Sequence, residues 1–378
     1  MLSERIRPAN AEANWWRRIP YIRAVIVFGA LRLATLLIVA LANVFTHHGL
    51  INDLSIWDGA WFLQAVHHGW PAQLPMVSGH VAGNPIAFYP LLPLLLRALS
   101  WLTGTSAAVI GLIVNGLTGL SAVIAVGVLT NEFAGAQKAD RAALLFALTP
   151  GGFVFNLIYA EGLLITFVAF GLWALLRRKW LVAGLLGALA TATSPVGLAF
   201  VVSCVVVAIV QLRREREWRV LFAPVLAPLG FATWMAYLWI HTGNLMAWRL
   251  TERGGWNSYP SLVYPFHIMA KFISNPISPT MTGQILFFGT LIGVIGLVIT
   301  YREHQPVALL SYTTSAVVLF LISAPVGLRP RFIMLAFPLA IGAATRWSGW
   351  RYRAVVSLST LILVLMTYET LTSFAVFP

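Results

Sequence analysis

Long apolar runs recur along the whole chain, and they constrain its fold more than any other feature of the sequence. In the first run, residues 24–45, Arg32 is the only charged residue. About 20 consecutive apolar residues suffice to cross a bilayer as an α-helix. Because lipid cannot hydrogen-bond the peptide groups, such runs must be helical, and the alternating pattern of barrel strands is absent. The chain is 59% hydrophobic and 10% charged, which predicts a single all-α, polytopic membrane domain over residues 1–378.

The lengths of the runs predict roughly eleven membrane-spanning helices. They lie at about 24–45, 107–130, 141–158, 162–176, 180–194, 197–212, 220–242, 282–300, 306–324, 332–345 and 354–374. Most of the 25 Lys and Arg residues fall in alternate short loops, as is typical of cytoplasmic loops. The clusters concerned are Arg17-Arg18, Arg177-Arg178-Lys179, Arg213-Arg214-Glu215-Arg216 and Arg351-Tyr352-Arg353. This distribution predicts a cytoplasmic N-terminus, and it assigns the net charge of +13 to contacts with anionic lipid headgroups rather than nucleic acid.

Two long loops are predicted on the outer face. The first runs from about 46 to 105 and holds two short amphipathic segments, near 56–68 and 88–103. Counting 88–103 as a span would turn every later basic loop outward, so we expect a juxtamembrane helix at the outer surface. The second loop, about 243–281, is rich in Trp, Tyr and Pro. Arg32, inside the first span, is expected to extend its side chain toward the inner surface.

Acidic residues are scarce, 12 in 378, and one of them lies between large aromatic residues in the first outer loop. This is Asp58, in the stretch Trp57-Asp58-Gly59-Ala60-Trp61-Phe62. A carboxylate at this place suits a general base that acts on a substrate outside the membrane. Ser55-Ile56-Trp57-Asp58 also fits a capping box, in which Asp58 would stabilise the start of a helix. The pattern alone leaves both interpretations open, whereas Asp53, in an Asn-Asp turn, is a weaker functional candidate.

Two further outer turns carry charged residues. Tyr159-Ala160-Glu161 joins two spans, where a carboxylate is costly unless it is solvated or paired. The turn therefore holds either a solvated acid or a site residue. Arg329-Pro330-Arg331 places two arginines on the face that usually lacks them. Because arginine binds phosphate through its planar fork, this turn either anchors outer-leaflet headgroups or holds the phosphate of a lipid-linked substrate.

Four stretches, in order along the chain, resemble the PIG-V-like family, that is, GPI mannosyltransferase II and its bacterial relatives with the GT-C membrane fold. They are Trp57-Asp58-Gly59-Ala60-Trp61-Phe62 with His68-Gly69-Trp70; Ala87-Phe88-Tyr89-Pro90-Leu91-Leu92-Pro93; Thr149-Pro150 through Tyr159-Ala160-Glu161; and Arg331-Phe332 through Phe337-Pro338. Together they extend over most of the chain. The resemblance implies a GT-C-type glycosyltransferase with juxtamembrane helices in the first outer loop.

The resemblance also implies an activity. Mannose would pass from a polyprenyl-phosphate-mannose donor to a hydroxyl of a lipid-linked or cell-envelope acceptor, such as a glycolipid, on the outer face of the membrane. Asp58 matches the acid that the family places in the first outer loop, and it would be the general base of an inverting displacement. Arg331, with Arg329 or Arg97, would stabilise the leaving phosphate. The other substrate-binding residues would be Trp57, Tyr89, Tyr159 and Glu161. We expect no metal and no other cofactor, because the outer face carries no Asp-x-Asp pair and the leaving group is already anionic.

One stretch departs from the family pattern. Relatives often carry an Arg in a Thr-Arg-x-x-Gly motif, whereas this chain has Thr191-Ala192-Thr193-Ser194-Pro195-Val196-Gly197, so another cation would have to serve the donor phosphate. This departure leaves a second hypothesis open, namely a non-catalytic lipid-phosphate carrier or a scaffold subunit of a cell-envelope complex. The rarity of Lys beside Arg and the absence of Asn-x-Ser/Thr favour a multi-pass protein of a bacterial plasma membrane.

Overall fold

The computed structural model describes residues 21–47, 49–276 and 280–372. The N-terminal part consists of one long apolar helix followed by the short helices of the first outer loop. These helices are α1 (Ile22–Thr46), α2 (Leu50–Leu54), α3 (Asp58–His68) and α4 (Leu91–Thr103). A small antiparallel hairpin separates the last two, with strands β1 (Met76–Val77) and β2 (His80–Val81). Both amphipathic segments expected in this loop are therefore helical.

The next three helices are α5 (Ala107–Ala134), α6 (Ala136–Ala147) and α7 (Glu161–Leu176). An ion pair of 2.8 Å between Glu132 and Arg177 joins the C-terminal ends of α5 and α7. These two helices thus run in the same direction, and the segment between them must return along the length of the molecule.

The prediction of one continuous helix at 141–158 is wrong. Helix α6 ends at Ala147, a 3-10 helix follows at Pro150–Asn156, and a bend of 118° separates this 3-10 helix from α7. The break occurs at Pro150, because proline cannot donate a backbone hydrogen bond and disfavours helical geometry in the residue before it. The Asn115 side chain, from α5, donates to the carbonyls of Val154 (2.8 Å) and Leu157, so the interrupted backbone is partly satisfied.

Four helices follow with short connections. They are α8 (Trp180–Thr193), α9 (Leu198–Glu215), α10 (Phe222–Leu226) and α11 (Leu229–Thr242). Ala192, which stands where relatives often have arginine, lies at the end of α8 against Gly230 of α11. A Cβ at Gly230 would lie 2.5 Å from the Ala192 nitrogen, so this contact requires glycine.

The second outer loop is also structured. It contains α12 (Ala247–Trp256), strand β3 (Tyr259–Pro260) and α13 (Tyr264–Ser274). Strand β3 pairs antiparallel with β4 (Ser323–Ala324), with Tyr259 opposite Ala324 and Pro260 opposite Ser323. The Tyr264 hydroxyl donates to the Pro325 carbonyl at 3.0 Å. These contacts attach the second outer loop to the segment that leads to Arg329.

The C-terminal part comprises α14 (Met281–Arg302), α15 (Val307–Leu321), α16 (Pro330–Leu335), α17 (Pro338–Arg346) and α18 (Gly349–Thr372). The prediction of one helix at 332–345 is wrong, because the helix breaks between α16 and α17. Pro338 lacks the N–H that a continuous helix would need. Two side chains satisfy carbonyls at the break: Tyr312 donates to Leu335 at 2.7 Å, and Gln305 donates to Pro338 at 3.2 Å.

A multi-pass membrane protein is confirmed, but the number of eleven spans is not. Among the described residues, six helices are long and apolar enough to cross a membrane, or seven if the bent pair around residue 158 is one span. Helices α4, α8 and α15 are apolar but shorter. The count of spans, and the single domain over 1–378, stay predictions.

The two ends of the helical bundle differ in charge. Glu161 begins α7 and Arg177 follows its last residue, so the 16 residues of α7 separate the two ends by about 24 Å. Arg178 pairs with Glu215 at the end where α7 finishes. The two outer-loop regions meet near Glu161, at the opposite end. Arg32 does not extend toward the basic end: it is half-buried, donates to the Gly152 carbonyl at 2.5 Å, and lies 4.9 Å above the Phe28 ring.

Candidate active site

Four of the residues singled out in the sequence meet at one end of the bundle. Arg331 lies between two acids: its Nη2 is 2.6 Å from Oδ2 of Asp58, and its Nε donates to Oε1 of Glu161. Its guanidinium carbon is 4.6 Å from the centre of the Tyr159 ring. The backbone N–H of Asp58 points to the Tyr159 hydroxyl oxygen at 3.5 Å. Residues more than 100 positions apart along the chain thus form one charged cluster.

Asp58 is the first residue of α3, and the capping-box interpretation is wrong. The Ser55 hydroxyl donates back to the Ile51 carbonyl at 2.6 Å, and α3 has no side-chain cap. The residue before Asp58, Trp57, has φ 59°, a conformation that a bulky residue adopts only when its surroundings impose it. Such strain is common at functional sites. The fold therefore holds Asp58 in place through Arg331 and through an imposed backbone turn.

The Asp58 carboxylate is bound by Arg331 and partly accessible. The ion pair with Arg331 involves Oδ2, and 23% of the side chain is exposed. A carboxylate that is fixed through one oxygen and partly accessible can take a proton from a bound hydroxyl. The geometry therefore suits a general base.

Glu161 is not the solvated turn acid that the sequence left open. It is 4% exposed and begins α7, and its Oε2 is buried without a hydrogen-bond partner among the described residues. Gly162, next in the chain, packs so tightly against α5 that a Cβ there would lie 2.7 Å from the Gly119 nitrogen. A buried acceptor that the protein leaves unsatisfied is available to a substrate hydroxyl.

Arg331 is positioned by a close approach between α16 and the 3-10 helix at Pro150–Asn156. A Cβ on Gly151 would lie 2.4 Å from the Pro330 carbonyl oxygen and 2.9 Å from Cα of Arg331, distances that only glycine permits. The Arg331 side chain is 15% exposed, so it does not anchor lipid headgroups. Because two carboxylates already compensate its charge, its expected role as the phosphate ligand does not fit this arrangement.

Arg329 precedes α16, two residues from the cluster centre. It is partly buried, and burial is the main cause that lowers its pKa, with smaller effects from Tyr264, which raises it, and Arg331, which lowers it. Its neighbourhood therefore joins the charged cluster to the second outer loop.

The structure places Arg97 and Tyr89 outside the charged cluster. Arg97 donates to the carbonyls of Val66 (2.7 Å) and Ala65 (3.1 Å) at the C-terminal end of α3. That end lies about 10 Å along α3 from Asp58, so Arg97 stabilises the helix end and its expected phosphate contact does not fit. Tyr89 is buried among aromatic side chains that line α11 and α12.

Sequence reasoning missed Glu252, a carboxyl group that α12 brings toward Asp58. Burial, and to a lesser extent the charge of Asp58, raises the pKa of Glu252 to about 7. Its own charge acts on Tyr89, whose pKa is raised well above the usual range, mainly by burial. A signal was present in the sequence: Glu252 lies between Trp248 and Trp256 at spacings of four, so the three share one helix face.

The cluster is organised around the guanidinium of Arg331. Within the described parts of the chain, no three His, Cys, Asp or Glu side chains are arranged to hold a metal ion. Arg331 instead bridges Asp58 and Glu161 directly. Such a site can bind hydroxyls and accept a proton.

Solved structures with similar architecture are membrane glycosyltransferases. The crystal structure of ArnT from Cupriavidus metallidurans bound to undecaprenyl phosphate aligns with a TM-score of 0.54 and 16% identity, over 93% of this chain and 74% of ArnT. The oligosaccharyltransferase of Archaeoglobus fulgidus aligns with a TM-score of 0.46 and 16% identity, over 90% of this chain and 55% of its own. The expected GT-C fold is thus confirmed.

Sequence comparison gives the family. A comparison with curated proteins found no match. A family model does match, and it covers residues 25–229, which is more than half of the chain and includes Asp58, Tyr159 and Glu161. The protein therefore belongs to the mannosyltransferase (PIG-V) family.

Proposed function

We propose that this membrane glycosyltransferase moves mannose from a polyprenyl-phosphate-mannose donor to a hydroxyl of a lipid-linked or cell-envelope acceptor on the extracytoplasmic face. The observation that carries the proposal is Asp58, which is bound through one carboxylate oxygen by Arg331 and is partly exposed where the outer loops meet. Membership of a mannosyltransferase family favours mannose as the sugar. The bound undecaprenyl phosphate of ArnT favours a polyprenyl phosphate as the carrier.

The reaction would be a single displacement. Asp58 takes the proton of the acceptor hydroxyl while that oxygen forms a bond to C1 of mannose. The bond between C1 and the phosphate oxygen breaks, and its electron pair leaves with the polyprenyl phosphate. Because the leaving phosphate is anionic, it needs no proton. A β-linked donor would give an α-linked product by inversion.

Arg329 is our candidate for the cation that stabilises the leaving phosphate. Arg329 lies next to the cluster, at the junction with the second outer loop. A fixed positive charge at the departing oxygen stabilises the transition state more than the ground state.

Substitution of the base tests the proposal. We expect Asp58→Asn to lower mannose transfer from polyprenyl-phosphate-mannose to a membrane lipid extract by about 100-fold or more, since it removes the base but keeps the size of the side chain. Purified protein, radiolabelled donor and a folding control by thermal unfolding make the measurement. Asp53→Asn is the matched control, because Asp53 lies in the same loop and accepts a hydrogen bond from Asn43 at 2.8 Å.

Each result decides between the hypotheses. Normal turnover by a folded Asp58→Asn protein would reject Asp58 as the base. Donor binding without transfer by the parent protein, across lipid, glycolipid and protein acceptors, would favour a lipid-phosphate carrier over an enzyme.

A further inference from the structure

Helix α12 packs over the first outer loop through two tryptophans, Trp256 and Trp248. Trp256 packs against Trp61 and Phe88, with ring centres 5.5 and 5.6 Å apart. Two turns earlier, Trp248 packs edge-on against Tyr89 at 6.1 Å. Glycines allow this close approach: a Cβ on Gly254 would lie 2.3 Å from the Val81 carbonyl oxygen. One face of α12 therefore covers the region between the hairpin and α11.

Under this face, three buried hydrogen-bond donors have no partner among the described residues. They are the hydroxyl of Tyr89 and the indole nitrogens of Trp234 and Trp248. Tyr89 is 1% exposed and Trp234 is 2% exposed. The three belong to one group of rings, because Tyr89 lies 6.1 Å from both tryptophans. We call Tyr89, Trp234 and Trp248 the aromatic cluster.

Unsatisfied buried donors are unusual in proteins, and three in one place call for a ligand that accepts hydrogen bonds. The neighbouring Trp70 shows how a buried indole is usually satisfied: its indole nitrogen donates to the Phe88 carbonyl at 3.1 Å. The three donors of the aromatic cluster stand at the rims of flat apolar rings. This combination matches a molecule with apolar C–H faces and peripheral oxygen atoms.

Glu252 connects the aromatic cluster to Asp58. It lies on the same face of α12 as Trp248, one turn further along. The same face of α12 also contacts α3, because Trp256 packs against Trp61 at 5.5 Å, and Trp61 lies one turn along α3 from Asp58. A ligand bound to the aromatic cluster would therefore lie on the side of α12 that faces the residue we propose as the base.

The carboxyl group beside the aromatic cluster selects the chemistry of that ligand. Glu252 offers a phosphate no positive charge, so the donor phosphate belongs elsewhere, near Arg329. A sugar has hydroxyls that donate to a carboxyl group and also accept from indole N–H and phenol O–H groups. A neutral sugar unit therefore fits better than an anion.

We propose that Tyr89, Trp234, Trp248 and Glu252 form a subsite for a sugar unit of the acceptor, which presents its reactive hydroxyl to Asp58. This subsite rests on the proposed transferase function and defines its acceptor as a glycoside. Since the three donors are sealed in this structure, α12 moves away from Tyr89 when the sugar enters. Glu252 acts as a positioning residue that holds a hydroxyl of the acceptor.

Substitutions that keep each ring and remove its donor test the subsite. The probe is octyl α-D-mannopyranoside, titrated against the protein in lipid nanodiscs so that no sugar detergent competes. We expect Trp234→Phe, Trp248→Phe and Tyr89→Phe each to weaken binding about threefold to tenfold, the effect of one lost hydrogen bond. Trp101→Phe is the matched control, because Trp101 is 82% exposed on α4.

Kinetics on the same proteins separate binding from chemistry. We expect each variant, and Glu252→Gln, to raise KM for the octyl mannoside acceptor while kcat and the donor KM stay close to those of the parent. Thermal unfolding monitors folding, and the three ring variants provide independent readings if one of them is unstable. A variant that only disturbs packing would lower kcat and the unfolding midpoint together.

The outcomes distinguish the subsite from the function. If the parent transfers mannose and the variants bind the probe as the parent does, the subsite is rejected and the transferase stands. No measurable binding of the probe by the parent rejects the subsite as well. If the probe binds through the aromatic cluster but no transfer occurs with any acceptor, the subsite stands and the proposed activity is rejected.

Discussion

Arg331 is the residue on which the arrangement around Asp58 depends. Its guanidinium contacts both Asp58 and Glu161 while lying over the Tyr159 ring. A lysine would not reproduce this geometry, since its compact ammonium lacks the planar fork that presents Nε to one acid and Nη2 to the other. The residue therefore orients the proposed base and compensates a buried acid at the same time.

Removing this guanidinium should destabilise the protein strongly. We expect Arg331→Gln to lower the free energy of unfolding by about 3 kcal/mol or more, because Glu161 would be left buried without its counter-charge. Arg346→Gln is the matched control: its ion pair with Glu303 is 52% exposed on the arginine side, and such pairs contribute about 0–1 kcal/mol. Equal losses for both variants in thermal unfolding would contradict a compensating role for Arg331.

The raised pKa of Glu252 predicts a pH dependence of stability. Between the ordinary value of 4.5 and about 7, the folded protein keeps this proton while the unfolded chain has lost it. Stability therefore falls as pH rises from 4.5 to 7 and then stays level, because the slope follows the difference in bound protons. We expect unfolding midpoints of parent and Glu252→Gln, measured from pH 5 to 8, to diverge in favour of the variant. Parallel curves would contradict a buried, proton-holding Glu252.

At the scale of elements, the site depends on a broken segment rather than on a regular helix. The 3-10 helix at Pro150–Asn156 packs directly against the start of α16. Because any Cβ at position 151 would meet the Pro330 carbonyl oxygen, the approach of the two backbones requires a glycine there. This packing determines the position of Arg331 relative to Glu161.

A single methyl group at this contact should separate the two elements. We expect Gly151→Ala to reduce mannose transfer at least tenfold, since its Cβ would lie 2.4 Å from the Pro330 carbonyl oxygen and misplacing a catalytic group by about 1 Å costs roughly 100-fold in rate. Gly116→Ala is the control, because no atom lies within 4 Å of a Cβ there. Full activity of a folded Gly151→Ala protein would show that α16 tolerates displacement.

At the scale of the whole molecule, the position of the basic loops predicts the orientation. Lys271 is exposed in the second outer loop, and Arg214 is exposed at the opposite end. We expect a membrane-impermeant maleimide to label Lys271→Cys in intact cells, and Arg214→Cys only after permeabilisation. The native Cys204 is buried and should contribute little labelling. The reverse pattern would place Asp58 in the cytoplasm and remove the basis for an extracytoplasmic reaction.

The sequence by itself determined the class of the protein and much of its candidate site. Apolar runs too long for a soluble core predict membrane helices, because lipid leaves the peptide groups no other partner. Acidic residues are scarce in this sequence, so Asp58 and Glu161 were conspicuous. An acid near the bilayer is retained only where it is paired or used. Arg331 was identified by its place on the face that usually lacks basic residues, and the structure brings all three together.

Only the tertiary structure decided which residue each charged side chain meets. Pairing of Arg331 with Asp58 and Glu161 joins segments far apart in the chain, and no local pattern encodes such a distance. Arginine is a common phosphate ligand, yet packing directs the Arg97 side chain to the carbonyls of Ala65 and Val66. In the sequence, Glu252 looks like an ordinary loop acid. Its position on the side of Asp58 follows only from the packing of α12 over the first outer loop. Burial and neighbouring charge define the chemistry of a carboxyl group, and both arise only when the helices have packed.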